Sequence, residues 1–319
     1  MIIQNLETRV PVMLLYVLES KGSSPGRQGF FMTVNINGNI EGSIGGGIME
    51  HKFIEMVREK LRAGNADPIA IGSEVRKQIH DKSAAKHQSG MICSGEQAIW
   101  LYTVPEKDKS VIQHIIASLS QNKNGTLTLS ASGIAFTDAV PQKDVEFAFR
   151  SEEDWLYKEK TGYKNKLFIV GGGHCALALS TLMRALDFYI HVYDDRKDLK
   201  TLLQNNAAHE KHVLNDYSEL SLLIAPGNNH YIIIMTVGYR TDDIAIKALL
   251  EKECKWLGVL GSKSKIRKMM AEYRKAGVKE ELLQRIQAPV GLAINSQTPE
   301  EIAVSIAAQI IQVKNSSPS

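Results

Sequence analysis

Hydrophobic and polar positions along the chain mark out short strands alternating with amphipathic helices. Val10–Leu18 is an unbroken apolar run suited to a central strand. Phe30–Ile36 alternates, with Phe31, Thr33 and Asn35 on one face and Met32, Val34 and Ile36 on the other. Asn37-Gly38 follows, a tight-hairpin signal in which both turn positions take φ > 0, and Asn39–Ile44 is the return strand. Ile48–Leu61 places Phe53, Val57 and Leu61 at helical spacing. Beyond it, Ile69–Ile71, Glu74–Ile79, Gln97–Val104, Thr126–Ala131 and Glu146–Phe149 read as strands, Lys82–Gly90 as a polar loop and Val111–Leu119 as a helix. Ser151–Lys166 is charged and aromatic without a clear period. The pattern therefore predicts one domain over 1–150, a linker over 151–165 and a second domain over 166–319.

The second domain is organised around one stretch. Leu167–Val170 is a buried-strand run, Gly171-Gly172-Gly173 a forced turn, Cys175–Leu186 a helix apolar almost all round and Tyr189–Tyr193 a second strand that ends in Asp194-Asp195-Arg196. Strand, Gly171-x-Gly173-x-x-Ala176, helix, strand and acid in that order are the fingerprint of a dinucleotide-type βαβ unit. Backbone N–H groups at the start of such a helix lack partners, and the helix dipole adds positive charge, so the turn suits a phosphate. Asp194 is placed to accept hydrogen bonds from a ribose. Ile232–Met235 and Lys255–Leu260 read as further strands. Helices are expected over Asp242–Glu251, capped by Thr241, and over Lys263–Ala276. A last helix is expected after the capping box Thr298-Pro299-Glu300-Glu301, with Ile302, Ile306, Ile310 and Val313 along one face. The predicted class is α/β: an N-terminal α/β domain with a mixed sheet, and a C-terminal Rossmann-like, doubly wound parallel sheet.

Several groups are candidates for chemistry. Gly22-Ser23-Ser24-Pro25-Gly26-Arg27 and Gly42–Gly47 are small-residue loops joined by one hairpin, and the second opens a helix, which makes it another anion or cofactor cradle. Glu50, in the first turn of that helix, either favours its dipole or binds a polar ligand. Cys93 stands where a small-residue turn enters a strand, as a buried inert thiol or one presented to a ligand. His174 and Cys175 open the helix after the glycine turn, a place that lowers a thiol pKa, although a packed helix residue is the plainer reading of Cys175. Lys263, Lys265, Arg267 and Lys268 form either a solvated face or a contact for a phosphate or an acidic partner. His209-x-x-His212 could face one side of a helix, but no third ligand is evident, so no metal site is expected. No nucleophile–base pair or carboxylate dyad stands out, so no catalytic residue is named and a carrier fits better than a turnover catalyst.

Composition narrows the picture further. The chain has 319 residues, 44% of them hydrophobic, and a formal charge of +3, too small to argue for nucleic acid. Cys93, Cys175 and Cys254 are its three cysteines and none lies in CxxC spacing, which fits a reducing compartment without disulfides. No run approaches the ~20 apolar residues of a membrane span. A soluble, cytoplasmic chain is the expectation.

Gly22-Ser23-Ser24-Pro25, Glu41-Gly42-Ser43-Ile44-Gly45-Gly46-Gly47-x-x-Glu50 and Cys93-Ser94-Gly95, followed by the dinucleotide-type unit, resemble the xanthine dehydrogenase accessory factor family (XdhC/CoxI). The resemblance continues through Tyr239-Arg240-Thr241-Asp242, Leu257–Lys265, Pro289–Leu292 and Thr298–Ile306, nearly the whole chain. It implies a maturation chaperone that binds the molybdenum cofactor as cargo, protects it while its terminal sulfur ligand is installed, and passes it to a molybdenum hydroxylase such as xanthine dehydrogenase. A sulfurtransferase (cysteine desulfurase) partner and a homodimer belong to the same expectation. The implied cofactor contacts are Gly22, Ser23, Ser24, Gly45, Gly46, Gly47, Glu50 and Cys93 in the first domain and Gly171, Gly173, His174 and Asp194 in the second. Asp194→Ala and Glu50→Ala are then expected to weaken ligand binding without unfolding the chain. The chain departs from the family at Ile48, where Cys is frequent, and at Ser94, Tyr239, Ala293 and Gln309, where Gly, His, Asp and Glu are. Two alternatives follow: an NAD(P)-dependent oxidoreductase with Asp194 at the ribose and Tyr239 as the acid, or a degenerate paralogue that only docks.

Overall fold

In the computed structural model, which describes residues 1–63, 73–79 and 95–316, the chain forms two units, Met1–Gly162 and Tyr163–Ser319. The first contains α1 (Ile2–Glu7), β1 (Val12–Gly22), β2 (Phe31–Asn35), β3 (Ile40–Gly42), α2 (Gly47–Ala63), β4 (Ser73–Ile79), β5 (Gly95–Thr103), α3 (Lys109–Ser120), β6 (Gly125–Ser130), β7 (Gly133–Thr137), β8 (Val145–Phe149) and β9 (Trp155–Thr161). Two sheets result, in the orders β3-β2-β1-β5-β4 and β7-β6-β9-β8. All their pairings are antiparallel rather than mixed.

β1 lies between two cores, which is why its sequence is apolar at every position from Val12 to Leu18. Met13, Leu15 and Val17 pack with Met49, Phe53, Val57 and Leu61 of α2. Leu14, Tyr16 and Leu18 pack on the other side with Trp100 of β5 and with Leu129, Trp155 and Tyr157 of the second sheet. Trp155 and Tyr157 belong to the stretch expected as a linker. It is a strand, hydrogen-bonded to β6 on one side and β8 on the other. Its second half reads as polar because Glu159 accepts the hydroxyls of Tyr16 (2.6 Å) and Tyr157 (2.7 Å). The Asn37-Gly38 hairpin also differs from expectation. Only Gly38 takes a positive φ, 84°, and the Gly38 N–H closes back on the Asn35 carbonyl, so the loop is one residue longer than a two-residue turn. Ile69–Ile71, Lys82–Gly90, Cys93 and Ser94 lie outside the described residues.

The second unit contains β10 (Asn165–Val170), α4 (His174–Ala185), β11 (Phe188–Asp194), α5 (Lys200–Leu203), β12 (Glu210–Val213), α6 (Leu220–Leu223), β13 (Gly227–Ile234), α7 (Tyr239–Leu249), β14 (Cys254–Val259), α8 (Lys263–Lys275), α9 (Glu280–Gln284), β15 (Ile286–Gln287) and α10 (Pro299–Asn315). Its sheet runs β12-β11-β10-β13-β14-β15, all parallel. In chain order that is 3-2-1-4-5-6, and the order reverses between β10 and β13, where doubly wound sheets bind ligands beyond the strand ends. α4 and α10 bury Ala176, Leu179, Met183, Ala303, Ile306 and Ile310 on one face. α7 and α8 bury Ala245, Ile246, Leu249, Ile266 and Met269 on the other. The capping box that predicted α10 is formed: the Glu301 N–H donates to Thr298 Oγ1 at 3.2 Å, and the Thr298 N–H donates to Glu301 Oε2 at 3.1 Å. α7 starts earlier than predicted, with Gly238 as its N-cap. Thr241 sits inside the first turn, where its hydroxyl accepts the Gly238 N–H.

Candidate functional site

The three glycines after β10 do different jobs. Gly171 has φ 109° and its N–H donates to the Tyr193 carbonyl at 2.7 Å. A Cβ there would lie 2.7 Å from the carbonyl carbon of Met235, just past β13, so this glycine allows two backbones to meet at the switch point. Gly172 donates its N–H to Asp194 Oδ2 at 2.7 Å and accepts Thr201 Oγ1 at 2.6 Å. Gly173 is the N-cap of α4 with φ −70°, has no side-chain cap, and an added Cβ would meet nothing within 4 Å. Gly238, the N-cap of α7 on the other side of the switch point, likewise borders open space. Two helix N-termini without a capping side chain from the N-cap residue thus open at the carboxyl ends of β10 and β13, an arrangement that favours an anion. His174 is exposed on the first residue of α4.

Asp194 differs from its expected role. It is fully buried, and its carboxylate accepts the Gly172 N–H, the Arg196 N–H at 2.9 Å, Arg196 Nε at 2.8 Å and Arg196 Nη2 at 2.7 Å. Burial by itself would raise this carboxyl. The Arg196 guanidinium and the two N–H groups outweigh it and hold Asp194 below the usual carboxylate range. A carboxylate engaged this fully has no place for a ribose diol. It shapes the glycine turn instead and fixes Arg196, which remains exposed. Arg196 is the residue missed from sequence, although it stood in the same Asp194-Asp195-Arg196 triplet. Its guanidinium is paired with Asp194 and lies 3.9 Å from Asp195.

Other expected groups are also turned inward. Burial and Glu300 push the Cys175 thiol up, against the lowering expected at a helix N-terminus. Tyr239 donates to Glu272 on α8, and burial with that carboxylate pushes its hydroxyl up to about 12; its proton is engaged by that carboxylate. Lys265 leaves the basic run to pair with the fully buried Asp242, whereas Lys263, Arg267 and Lys268 are exposed. His209 is not on a helix with His212. Its Nδ1 accepts the Ile190 N–H at 3.0 Å, so Nε2 carries the proton toward the Tyr163 hydroxyl at 2.7 Å. His212 lies on β12, beside His191 and Glu210.

In the first unit the two small-residue loops pack backbone to backbone. A Cβ on Gly26 would lie 2.7 Å from the carbonyl carbon of Ile44, and one on Gly45 would lie 2.7 Å from that of Pro25. Buried Gln97 spans the two loops, donating Nε2 to the Gly26 carbonyl at 2.8 Å and the Ile44 carbonyl at 3.4 Å. Gly22 ends β1, Ser23 is exposed, and Ser24 is buried against Ser20 at 2.6 Å. Gly45, Gly46 and Gly47 all have positive φ (128°, 74° and 70°), and a Cβ on Gly46 would meet nothing within 4 Å. Glu50 Oε2 accepts Ser43 Oγ at 2.6 Å and the N–H groups of Ile44 and Gly46 at 3.0 Å. Its carboxylate therefore organises the loop from behind, which is neither of the two expected roles taken alone. Gln97→Leu should leave the Gly26 carbonyl to the longer contact with the Ser24 hydroxyl, 3.4 Å, and cost about 2 kcal/mol. Urea unfolding followed by circular dichroism would show this as a lower midpoint at unchanged slope.

Among the described residues no helix is long and apolar enough to cross a membrane. Residues 167–310 match the family model of the XdhC Rossmann domain, and residues 6–70 match that of the XdhC and CoxI family. YqeB of Escherichia coli K12 is 26% identical over 316 residues, which cover 98% of this chain and 45% of that protein. A Bacillus subtilis protein described as one of the probable subunits of xanthine dehydrogenase is 30% identical over 82 residues, 26% of this chain and 23% of the other. The chain thus spans less than half the length of one curated relative and matches a quarter or less of the other. A solved structure described as a xanthine dehydrogenase from Bacillus halodurans superposes with a TM-score of 0.68 at 25% identity, covering 99% of this chain and 96% of that one.

Proposed function

The chain belongs to the XdhC and CoxI family, and from that premise we propose that it is a maturation factor that takes the molybdenum cofactor as cargo. In this reading it shelters the cofactor during sulfuration and hands it to a molybdenum hydroxylase of the xanthine dehydrogenase type, with a sulfurtransferase as the sulfur donor. The cargo is a pterin carrying a phosphate, and the phosphate is the part for which the C-terminal unit has a fitting environment. The observation that carries the reading is the pair Gly173 and Gly238. Neither glycine is required by an internal contact or a positive φ, yet each is the N-cap of a helix at the switch point, a place where Ser, Thr, Asp or Asn would supply a capping side chain. Omitting a side chain at both places is explained by a ligand that approaches the backbone closely.

Gly173, His174 and Gly238 would then line the phosphate, with the two helix N-termini supplying partial positive charge. Gly171 and Asp194 act behind them by shaping the turn. The loop Ser43–Gly47 supports a second contact of the same kind, since open Gly46 precedes α2. The oxidoreductase alternative is weakened by the saturation of Asp194 and by the pairing of Tyr239 with Glu272.

Gly173→Val is expected to lower cofactor affinity at least tenfold and to shift the melting temperature by no more than a few degrees. Anaerobic calorimetry with molybdenum cofactor, alongside thermal melting, checks both. Affinity equal to the unaltered chain would remove the assignment of these helix N-termini.

A further inference from the structure

We propose that His191, Glu210 and His212 form a zinc site on the C-terminal unit, separate from the glycine turn. β11 and β12 pair in parallel with His191 opposite Glu210 and Tyr193 opposite His212. Alternation along each strand puts 191, 193, 210 and 212 on one face of the sheet. Three ligand groups from two separate strands are thereby brought together at its edge, since β12 is the outermost strand.

Their spacing is the main argument. His191 Nδ1 lies 3.4 Å from His212 Nε2 and 3.4 Å from Glu210 Oε2, and His212 Nε2 lies 3.3 Å from the same oxygen. The three atoms make a nearly equilateral triangle. A tetrahedral zinc ion with ligands at about 2.0–2.1 Å has ligand–ligand edges of about 3.3–3.4 Å. Good hydrogen bonds between these groups would be shorter, with a mode near 2.9–3.0 Å. Calcium, with ligands at about 2.3–2.6 Å, would need a wider triangle, and magnesium prefers octahedral oxygen sets. Two imidazole nitrogens and one carboxylate oxygen are zinc donors, and with three protein ligands the fourth position stays open.

The surroundings agree with that reading. His191 is 9% exposed, and its other nitrogen, Nε2, is buried without a hydrogen-bond partner. The polar contacts of this buried ring are therefore on the side of Glu210 and His212. Tyr189 donates its hydroxyl to Glu210 Oε1 at 2.9 Å, leaving Oε2 in the triangle and fixing the carboxylate. Tyr193 and His212 stack at 4.5 Å between centroids, which holds the second imidazole in place. The His212 and Glu210 side chains are 32% and 42% exposed, so the open position is accessible from solvent.

The test uses the full chain, stripped with chelator, dialysed and titrated with zinc sulfate by calorimetry. One equivalent should bind, magnesium should give no heat, and zinc should raise the melting temperature. His212→Ala, at a partly exposed position, should stay folded by circular dichroism and bind zinc at least a hundredfold more weakly. Glu210→Gln should weaken binding in the same direction, and His209→Ala should leave it unchanged. No binding to the unaltered chain, or unaltered binding in folded His212→Ala, would overturn the proposal.

Discussion

Gly171→Val should cost the C-terminal unit about 4 kcal/mol, a loss of roughly 10 °C in melting temperature for a domain of this size. Two terms add. The residue sits at φ 109°, a conformation a β-branched side chain adopts only at a cost of about 1–3 kcal/mol. A Cβ would also press on the Met235–Thr236 backbone, 2.7 Å from the Met235 carbonyl carbon and 2.9 Å from the Thr236 nitrogen. Backbone at the end of a central strand cannot yield as a flexible side chain can, and such overpacking costs about 1–3 kcal/mol more. Gly173→Val, two residues along, should cost about 1 kcal/mol or less, because its φ of −70° is ordinary and its Cβ meets open space. Differential scanning calorimetry of the two variants side by side separates a glycine the fold needs from one it does not. Equal losses would remove that distinction.

Asp194→Ala should destabilise the same unit by about 3 kcal/mol, against the sequence-based expectation of weaker binding in an intact fold. The substitution strands the Gly172 N–H in a buried site and releases Arg196 from its bidentate partner. Because Arg196 is exposed and can return to water, the loss stays below that of a fully buried pair broken on one side. The pH dependence has a definite sign. The Asp194 carboxyl is held below its ordinary value in the folded chain. Its stabilisation is thus complete above the unfolded value of about 3.9 and is lost as pH falls below that, through the folded value. The difference in urea stability between the unaltered chain and Asp194→Asn should be constant from pH 7 to about pH 5 and shrink on further acidification. A difference that grows at low pH would contradict the assignment.

Much of the second unit was legible because its signals are local. The run Leu167–Val170, the glycine turn and the acid at 194 each carry their meaning in a few residues, and the Thr298 box marks the start of α10 to the residue. Most of what stayed hidden depends on partners distant in sequence. Trp155–Thr161 reads as a linker because the Tyr16 hydroxyl that meets Glu159 is 143 residues away in the chain. Asp194 reads as a ribose ligand because nothing local shows that Arg196 folds back onto it. The histidine cluster was missed because His209 and His212 are close in sequence, whereas the ring beside His212 is His191, across a strand pairing that only the fold supplies. In the first unit, a glycine-rich loop does not reveal which of its glycines face another backbone and which face open space.

The central claim is that the helix N-termini at Gly173 and Gly238, at the switch point, take a phosphate-bearing pterin. Its most direct test is anaerobic calorimetry on the purified chain, with molybdenum cofactor, NAD(H) and NADP(H) as separate titrants. Saturable binding of the pterin cofactor alone, lost in folded Gly173→Val, is the predicted result. Binding of a nicotinamide dinucleotide alone would contradict the claim and return the chain to the oxidoreductase reading.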